Sequence, residues 1–314
     1  MNKAKTTIKS IALWLLSVFL MVIFSCTNPT ENSSHSADIK SVNAIGYNLS
    51  APDKTIILPG ILHEISGITV IDSASVACIQ DENGIVFIFD LLKKSIKQQL
   101  FFNANGDYEG ITLADKSIYI LRSDGVLFEI SNYGSSDFTK EVFPTGIPAN
   151  DNEGLCYDQK TKRLLIAPKS NIGKGYEYEL KRVIYGFDLN LGKLMKNPVF
   201  DFDLRAIKKF ASDNKVLQPK KSIKKGQLKE PDIRFRPSAI GIHPVTNKLF
   251  LLSGMEHMLF VFDMNGTIEY IEKLNPEIFN MPEGITFFKN GDMLISNEGQ
   301  NRNATLLRFN YIQR

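Results

Sequence analysis

One short phrase returns along the chain at a spacing that few folds can use. His63-Glu64-Ile65-Ser66-Gly67-Ile68 is the first copy, Asp107-Tyr108-Glu109-Gly110-Ile111 the second and Asp151-Asn152-Glu153-Gly154-Leu155 the third. Arg236-Pro237-Ser238-Ala239-Ile240 is a degenerate fourth copy and Met281-Pro282-Glu283-Gly284-Ile285 the fifth. Measured between Glu64, Glu109, Glu153, Ser238 and Glu283, the intervals are 45, 44, 85 and 45 residues. A strand-rich repeat of about 40–50 residues is the mark of propeller blades, each a small sheet that buries its faces only against its neighbours.

Each unit reads as four short strands. In the first, Ile68 to Ile71, Ser75 to Gln80, Ile85 to Asp90 and Lys97 to Phe102 are separated by turn signals at Asp72-Ser73, Asp81 to Gly84 and Asn103 to Gly106. The last unit reaches the C-terminus with three strands, and Lys54 to Leu58 is free to supply the fourth, which closes the ring and removes its open edge. The expected fold is all-β: one propeller of five four-stranded antiparallel blades over 51–314. Six blades is the alternative, because the 85-residue interval has room for another.

Composition agrees with a globular body. The chain has 314 residues, 43% hydrophobic and 23% charged, which excludes bulk disorder and fibrous classes. Three cysteines are too few for a disulfide framework. Cys78 and Cys156 fall in different repeats and are expected as buried free thiols.

Residues 1–25 have the features of an export leader. Lys3, Lys5 and Lys9 precede an apolar run from Ile11 to Phe24, which as a helix reaches about 21 Å, short of a membrane span. Ser25-Cys26 resembles a bacterial lipobox, so Cys26 is the expected lipidation site; a plain signal peptide or short anchor helix is the alternative. Residues 26–50 read as the lipidated cysteine and a tether. This places the protein in a bacterial envelope, anchored to a membrane (the outer one in preference) through its N-terminal lipid, on either side of it. Without the leader, 34 basic residues balance 34 acidic ones. The segment 205–236 holds 11 Lys and Arg against three acids, so the rest of that mature chain is acidic by as much as the segment is basic. It reads as a solvated loop, or as a basic lid or contact for anionic lipid headgroups. No motif accompanies those lysines that would suit nucleic acid.

The repeat phrases, the Asp81-Glu82 and Ser296-Asn297-Glu298 turns and the lipoprotein-like leader together resemble the SdiA-regulated (YjiK-like) propeller proteins of bacterial envelopes, over about residues 55–312. That resemblance implies a propeller and an envelope location, and calcium by analogy with other small propellers; it implies no activity.

In a propeller the first strand of each blade lines the channel. Glu64, Glu109, Glu153 and Glu283 stand where that strand begins, with Ser238 in the remaining place. The loops between second and third strands add Asp81, Glu82, Asp124, Lys169, Glu256, His257, Asn297 and Glu298 to the same face. Crowded carboxylates are relieved by a cation, shared protons or a basic partner. Hard oxygen donors favour Ca²⁺ or Mg²⁺, with Glu64, Glu109, Glu153 and Glu283 as the metal set. Alternatively, each Glu accepts backbone N–H groups from the next blade. Lys169 either pairs with Glu153 or Glu109, or anchors an anion. His243 belongs to a structural turn on the opposite face, and the third-strand phenylalanines to blade packing. There is no Gly-x-Ser-x-Gly, His-Glu-x-x-His, Gly-x-x-x-x-Gly-Lys-Ser/Thr or Cys-x-x-Cys. The expected function is binding of a small ligand or envelope partner at the acidic face, by a monomer. A Ca²⁺-dependent phosphoesterase or lactonase, with Asn297 among the ligands, and a metal-free scaffold are the alternatives.

Overall fold

Strand sequences such as Val76 to Gln80 and Met258 to Phe262 are apolar almost throughout, because blades stack face to face and bury both sides of their inner strands. A computed structural model describes residues 43–313 except 136, 174, 217–219, 222–227 and 230–232, with backbone alone at 176, 177, 220, 221, 228 and 229. The leader, Cys26 and the tether up to 42 lie outside the described residues.

The chain opens with β1 (Lys54–Ile57). Blade 1 follows as β2 (Ile65–Val70), β3 (Ser75–Gln80), β4 (Ile85–Asp90) and β5 (Ser95–Phe101). Blade 2 is β6 (Tyr108–Ala114), β7 (Ser117–Arg122), β8 (Val126–Ser131) and β9 (Thr139–Pro144). Blade 3 is β10 (Asn152–Asp158), β11 (Arg163–Pro168) and β12 (Lys181–Asp188), with an outer strand in two pieces, β13 (Lys193–Leu194) and β14 (Phe200–Asp203), both paired to β12. A small ribbon, β15 (Lys220–Lys221) with β16 (Leu228–Lys229), precedes blade 4, which is β17 (Ala239–Ile242), β18 (Leu249–Ser253), β19 (Met258–Phe262) and β20 (Ile268–Lys273). Blade 5 is β21 (Pro282–Phe287), β22 (Met293–Asn297) and β23 (Thr305–Phe309), completed by β1 in the register Lys54↔Arg308 to Ile57↔Thr305. The propeller therefore has five antiparallel blades and closes with its N-terminal strand, as the repeat requires. Among the described residues no sixth blade occupies the long interval.

What fills that interval is partly helical. Leu204–Asp213 forms a helix whose first turn is capped by Asp203, with Oδ1 accepting from Arg205 N at 2.9 Å. Leu204, Ile207 and Ala211 are buried among Phe200, Phe202, Phe262 and Ile271, while Arg205, Lys208 and Lys209 face solvent. The helix packs on outer strands β14 and β20, so this half of the basic segment is a strut between blades 3 and 4, not a lid or a free loop. Apolar residues at 204, 207 and 211 carried that signal. The packed body also begins earlier than position 51. Tyr47 and Leu49 are buried in the blade 4–5 core, and Tyr47 Oη donates to Gly291 O at 2.5 Å. Cys78 and Cys156 are free and buried, as expected, and burial pushes both thiols up.

The inner strands β2, β6, β10, β17 and β21 meet around the axis, and glycine makes that possible. A Cβ on Gly110 would stand 2.6 Å from Leu155 Cβ and 2.7 Å from Glu153 O; one on Gly154 would stand 2.9 Å from Ile240. Gly67 faces Ile111 and Gly284 faces Ile68 in the same way. The Gly-Ile or Gly-Leu pair is thus a joint: each glycine receives the aliphatic side chain of the next blade. Gly110→Ala is expected to destabilise the protein by about 1–3 kcal/mol, while Gly60→Ala and Gly134→Ala, which meet nothing within 4 Å, serve as controls. Urea unfolding midpoints of the three variants measure this.

Candidate functional site at the acidic mouth

The residue before each joint is placed by a β-bulge. The register of the first two strands slips at Ser66, Glu109, Glu153 and Glu283, each between its neighbours in the inner strand. A bulge re-aims its extra side chain. Ser238 stands at the matching point before β17. Ser66, Glu109, Glu153, Ser238 and Glu283 together line a pocket of about 10 Å³, room for roughly one water-sized group.

Glu64 is not on this ring. The Gly67-Ile68 joint sets the register, and it puts Ser66 where Glu64 was expected; Glu64 is exposed, one step outward. Aligning the copies on Gly-Ile instead of on Glu gives Ser66 at once, 43 residues before Glu109. The two serines do structural work. Ser66 Oγ donates to Tyr108 O at 2.7 Å, and Ser238 Oγ donates to Pro282 O at 3.1 Å, each across to the following blade.

The three glutamates have no such arrangement. Glu153 is 3% exposed; its Oε1 lies 2.6 Å from Lys169 Nζ, and its Oε2 has no hydrogen-bond partner. The simple pairing expected for Lys169 is therefore present, and backbone N–H groups do not satisfy Glu153. Burial, then Asp107 and Glu283, push Glu109 up to about 8. Burial pushes Glu283 up to about 7, against the pull of Lys169 and with Glu298 adding to the rise. Glu153 moves in the same direction, by burial and then by Glu109 and Glu283, with Lys169 opposing. Burial disfavours the charge on Lys169, yet Glu153, Glu283 and Asp151 hold its ammonium above the ordinary lysine range. One ammonium balances one carboxylate. The other two are stabilised by retaining protons near neutral pH, and the titration belongs to the set.

An outer tier surrounds the ring. Asp81 is pushed up to about 6 by burial, then by Glu64 and Glu82; Glu298 is raised by burial and then by Glu64. Glu82 is exposed, its N–H bound to Gln80 Oε1 at 2.6 Å. Asp124 is engaged by Arg122 through bonds of 2.9 and 2.8 Å. Asn297 is fully buried, and its Nδ2 holds Thr305 Oγ1 at 3.1 Å and Ile278 O at 3.4 Å, a role in blade 5 rather than at the mouth. Glu256 is paired with Arg236, and His257 Nε2 lies 2.9 Å from Asn280 O. His243 is buried in its turn on the opposite face, its Nδ1 accepting from Thr246 N at 3.0 Å, and burial lowers it to about 4. Among the described residues no three of His, Cys, Asp and Glu converge closely enough to hold a metal ion as they stand.

No protein-family model matches the chain, and no curated protein sequence does. Solved structures match by shape. Myxococcus xanthus glutaminyl cyclase aligns with a TM-score of 0.53 at 11% identity, over 84% of this chain and 97% of that one. A streptogramin B lyase gives 0.45 at 16% over 82% and 97%, and a chain of a nidogen/laminin complex 0.46 at 12% over 74% and 72%. At these identities the likeness is one of fold.

The raised carboxylates fix the sign of a pH effect. Between pH 5 and 9 the folded ring holds protons that an unfolded chain, with ordinary glutamates near 4.5, has released. Stability is therefore highest toward pH 5 and falls as pH rises through about 7 to 8. Glu109→Gln should flatten that fall, read from urea midpoints across the range. Lys169→Met should cost more stability at pH 9 than at pH 5, because at pH 5 Glu153 keeps its proton and does not need the ammonium; an equal loss at both pH values would contradict the pairing.

Proposed function

We propose that this protein is a lipid-anchored propeller of the bacterial envelope that binds a cationic ligand, an ion or the charged group of a partner, at its acidic mouth. The observation that carries the reading is Glu153 Oε2: a carboxylate oxygen buried at the centre of a ring of acids, facing a pocket of about 10 Å³, with nothing bonded to it. An unpaired buried acceptor costs free energy that a bound donor or cation would recover. The leader and Cys26 support the anchor and the location, and the repeat phrases support kinship with the SdiA-regulated propellers. The excess of 11 Lys and Arg over three acids in 205–236 supports a contact with anionic headgroups.

Ca²⁺ and Mg²⁺ suit the donors by hardness, but not the ring as it stands. The acids do not converge, and Lys169 holds Glu153 Oε1. Uptake requires Lys169 to withdraw and the retained protons to leave, so affinity rises with pH. No nucleophile paired with a general base lines the mouth among the described residues, and no observation favours hydrolysis over binding.

Thermal unfolding of the chain from Thr27, which contains every described residue, tests this with EDTA and then with increasing Ca²⁺ or Mg²⁺ at pH 6 and pH 8.5. A ligand at about 100 times its Kd adds about 2.7 kcal/mol and moves the midpoint by several degrees. A saturable rise at pH 8.5, smaller at pH 6 and absent in Glu153→Gln, is the expected result. If neither ion nor a guanidinium-bearing peptide shifts the midpoint at either pH, the reading fails.

A further inference from the structure

The channel has a second mouth. Below the acidic ring, Ile68, Ile111, Leu155, Ile240 and Ile285, all at most 5% exposed, close the axis. Beyond them the space reopens toward the face that carries the turns between first and second strands. A well of about 200 Å³ widens into a vestibule of about 910 Å³, and the two share Val70, Leu113, Tyr157, Gln159, Phe287 and Lys289. This cavity lies on the side opposite the acids.

The well's floor is aliphatic, formed by the five plug residues, while Thr69, Thr112, Thr286 and Gln159 add polar atoms to its wall. Thr286 Oγ1 accepts from Val70 N at 3.2 Å and Thr69 Oγ1 from Leu113 N at 3.1 Å, sealing blade 5 to blade 1 and blade 1 to blade 2. The charges around the vestibule are mostly spoken for. Asp115 binds Lys162 Nζ at 2.9 Å and Tyr157 Oη at 3.0 Å. Arg308 is held by Asp292 and lies 4.7 Å over the Phe288 ring. Asp72 Oδ1 accepts from Ala74 N at 2.7 Å. Lys289 is different: it stands exposed at the junction of well and vestibule with no ion-pair partner among the described residues.

A well with an aliphatic floor and polar groups on its wall and rim is an ordinary form of small-molecule site. We propose that this well binds an amphipathic anion, its hydrocarbon end seated under the aliphatic plug and its carboxylate or phosphate head on Lys289. The site is independent of the acidic mouth, from which the Ile and Leu plug separates it.

Binding of the alkanoates hexanoate to dodecanoate, below their micellar concentrations, to the chain from Thr27 by isothermal titration tests the proposal. The expected result is one saturable site whose affinity rises about fourfold per added methylene and then levels off when the well is full. Dodecyl phosphate and dodecanoate compared side by side show which head the rim prefers. Lys289→Glu should weaken dodecanoate at least tenfold and favour dodecyltrimethylammonium instead. Leu113→Trp, or Val70→Phe if that variant does not fold, should fill the well and abolish binding of the long homologues. Absence of saturable binding overturns the proposal. So does equal binding of dodecanoate and dodecyltrimethylammonium that Lys289→Glu leaves unchanged, or affinity that climbs with chain length without a plateau.

Discussion

Five inner strands must approach one axis more closely than ordinary side chains permit, and most of this structure answers that constraint. Glycine at 67, 110, 154 and 284 removes the Cβ that would collide with the next blade, and Ile111, Leu155, Ile240 and Ile68 fill the space that is left. Ala239 takes the place in blade 4. The bulge before each joint turns one side chain toward the axis. Two blades place a serine there and close the seam to the next blade with its hydroxyl. Three place a glutamate, which is too long to do the same and is left among other acids. The proton-holding behaviour of the mouth is thus a consequence of how tightly the ring is drawn.

The ring was largely legible in the sequence because its cause is periodic. A glycine joint every 43 to 45 residues, interrupted once, points to the blades, their order and the closing strand, and the sheet topology decides for five over six. Charge does not set the ring position. Glu64 looks like Glu109 and Glu153 as a letter, but the joint counts from Gly67, and Ser66 holds the ring position. Asn297 is near the mouth in sequence, yet its side chain is buried in the blade, where it binds Thr305. The helix at 204–213 was hidden by the lysines around it, although Leu204, Ile207 and Ala211 carry a helical period. The lower well has no motif at all. It arises where the inner strands diverge below the plug, and only geometry brings Leu113, Tyr157, Phe287 and Lys289 together.

The axis therefore presents two unlike surfaces on one rigid frame. One end gathers carboxylates around a space of about 10 Å³ and holds protons and one ammonium among them. The other is wide, with an aliphatic floor and Lys289 exposed where the well opens. The plug of Ile and Leu side chains insulates them, so a ligand at one end has no open path to the other. The N-terminal strand completes the last blade and leads directly into the first, and the buried Tyr47 ties blades 4 and 5 together.

The most direct measurement is a pH titration of the glutamate side-chain carboxyls by carbon-detected NMR on the chain from Thr27, with Glu109→Gln, Glu153→Gln and Glu283→Gln to assign the unusual signals. The account predicts resonances that move well above the ordinary carboxylate range, between about pH 7 and 9, and that shift together when any one of the three is neutralised. If every glutamate titrates between about 4 and 5, the ring is open to water, its acids are independent, and the account of the mouth is wrong.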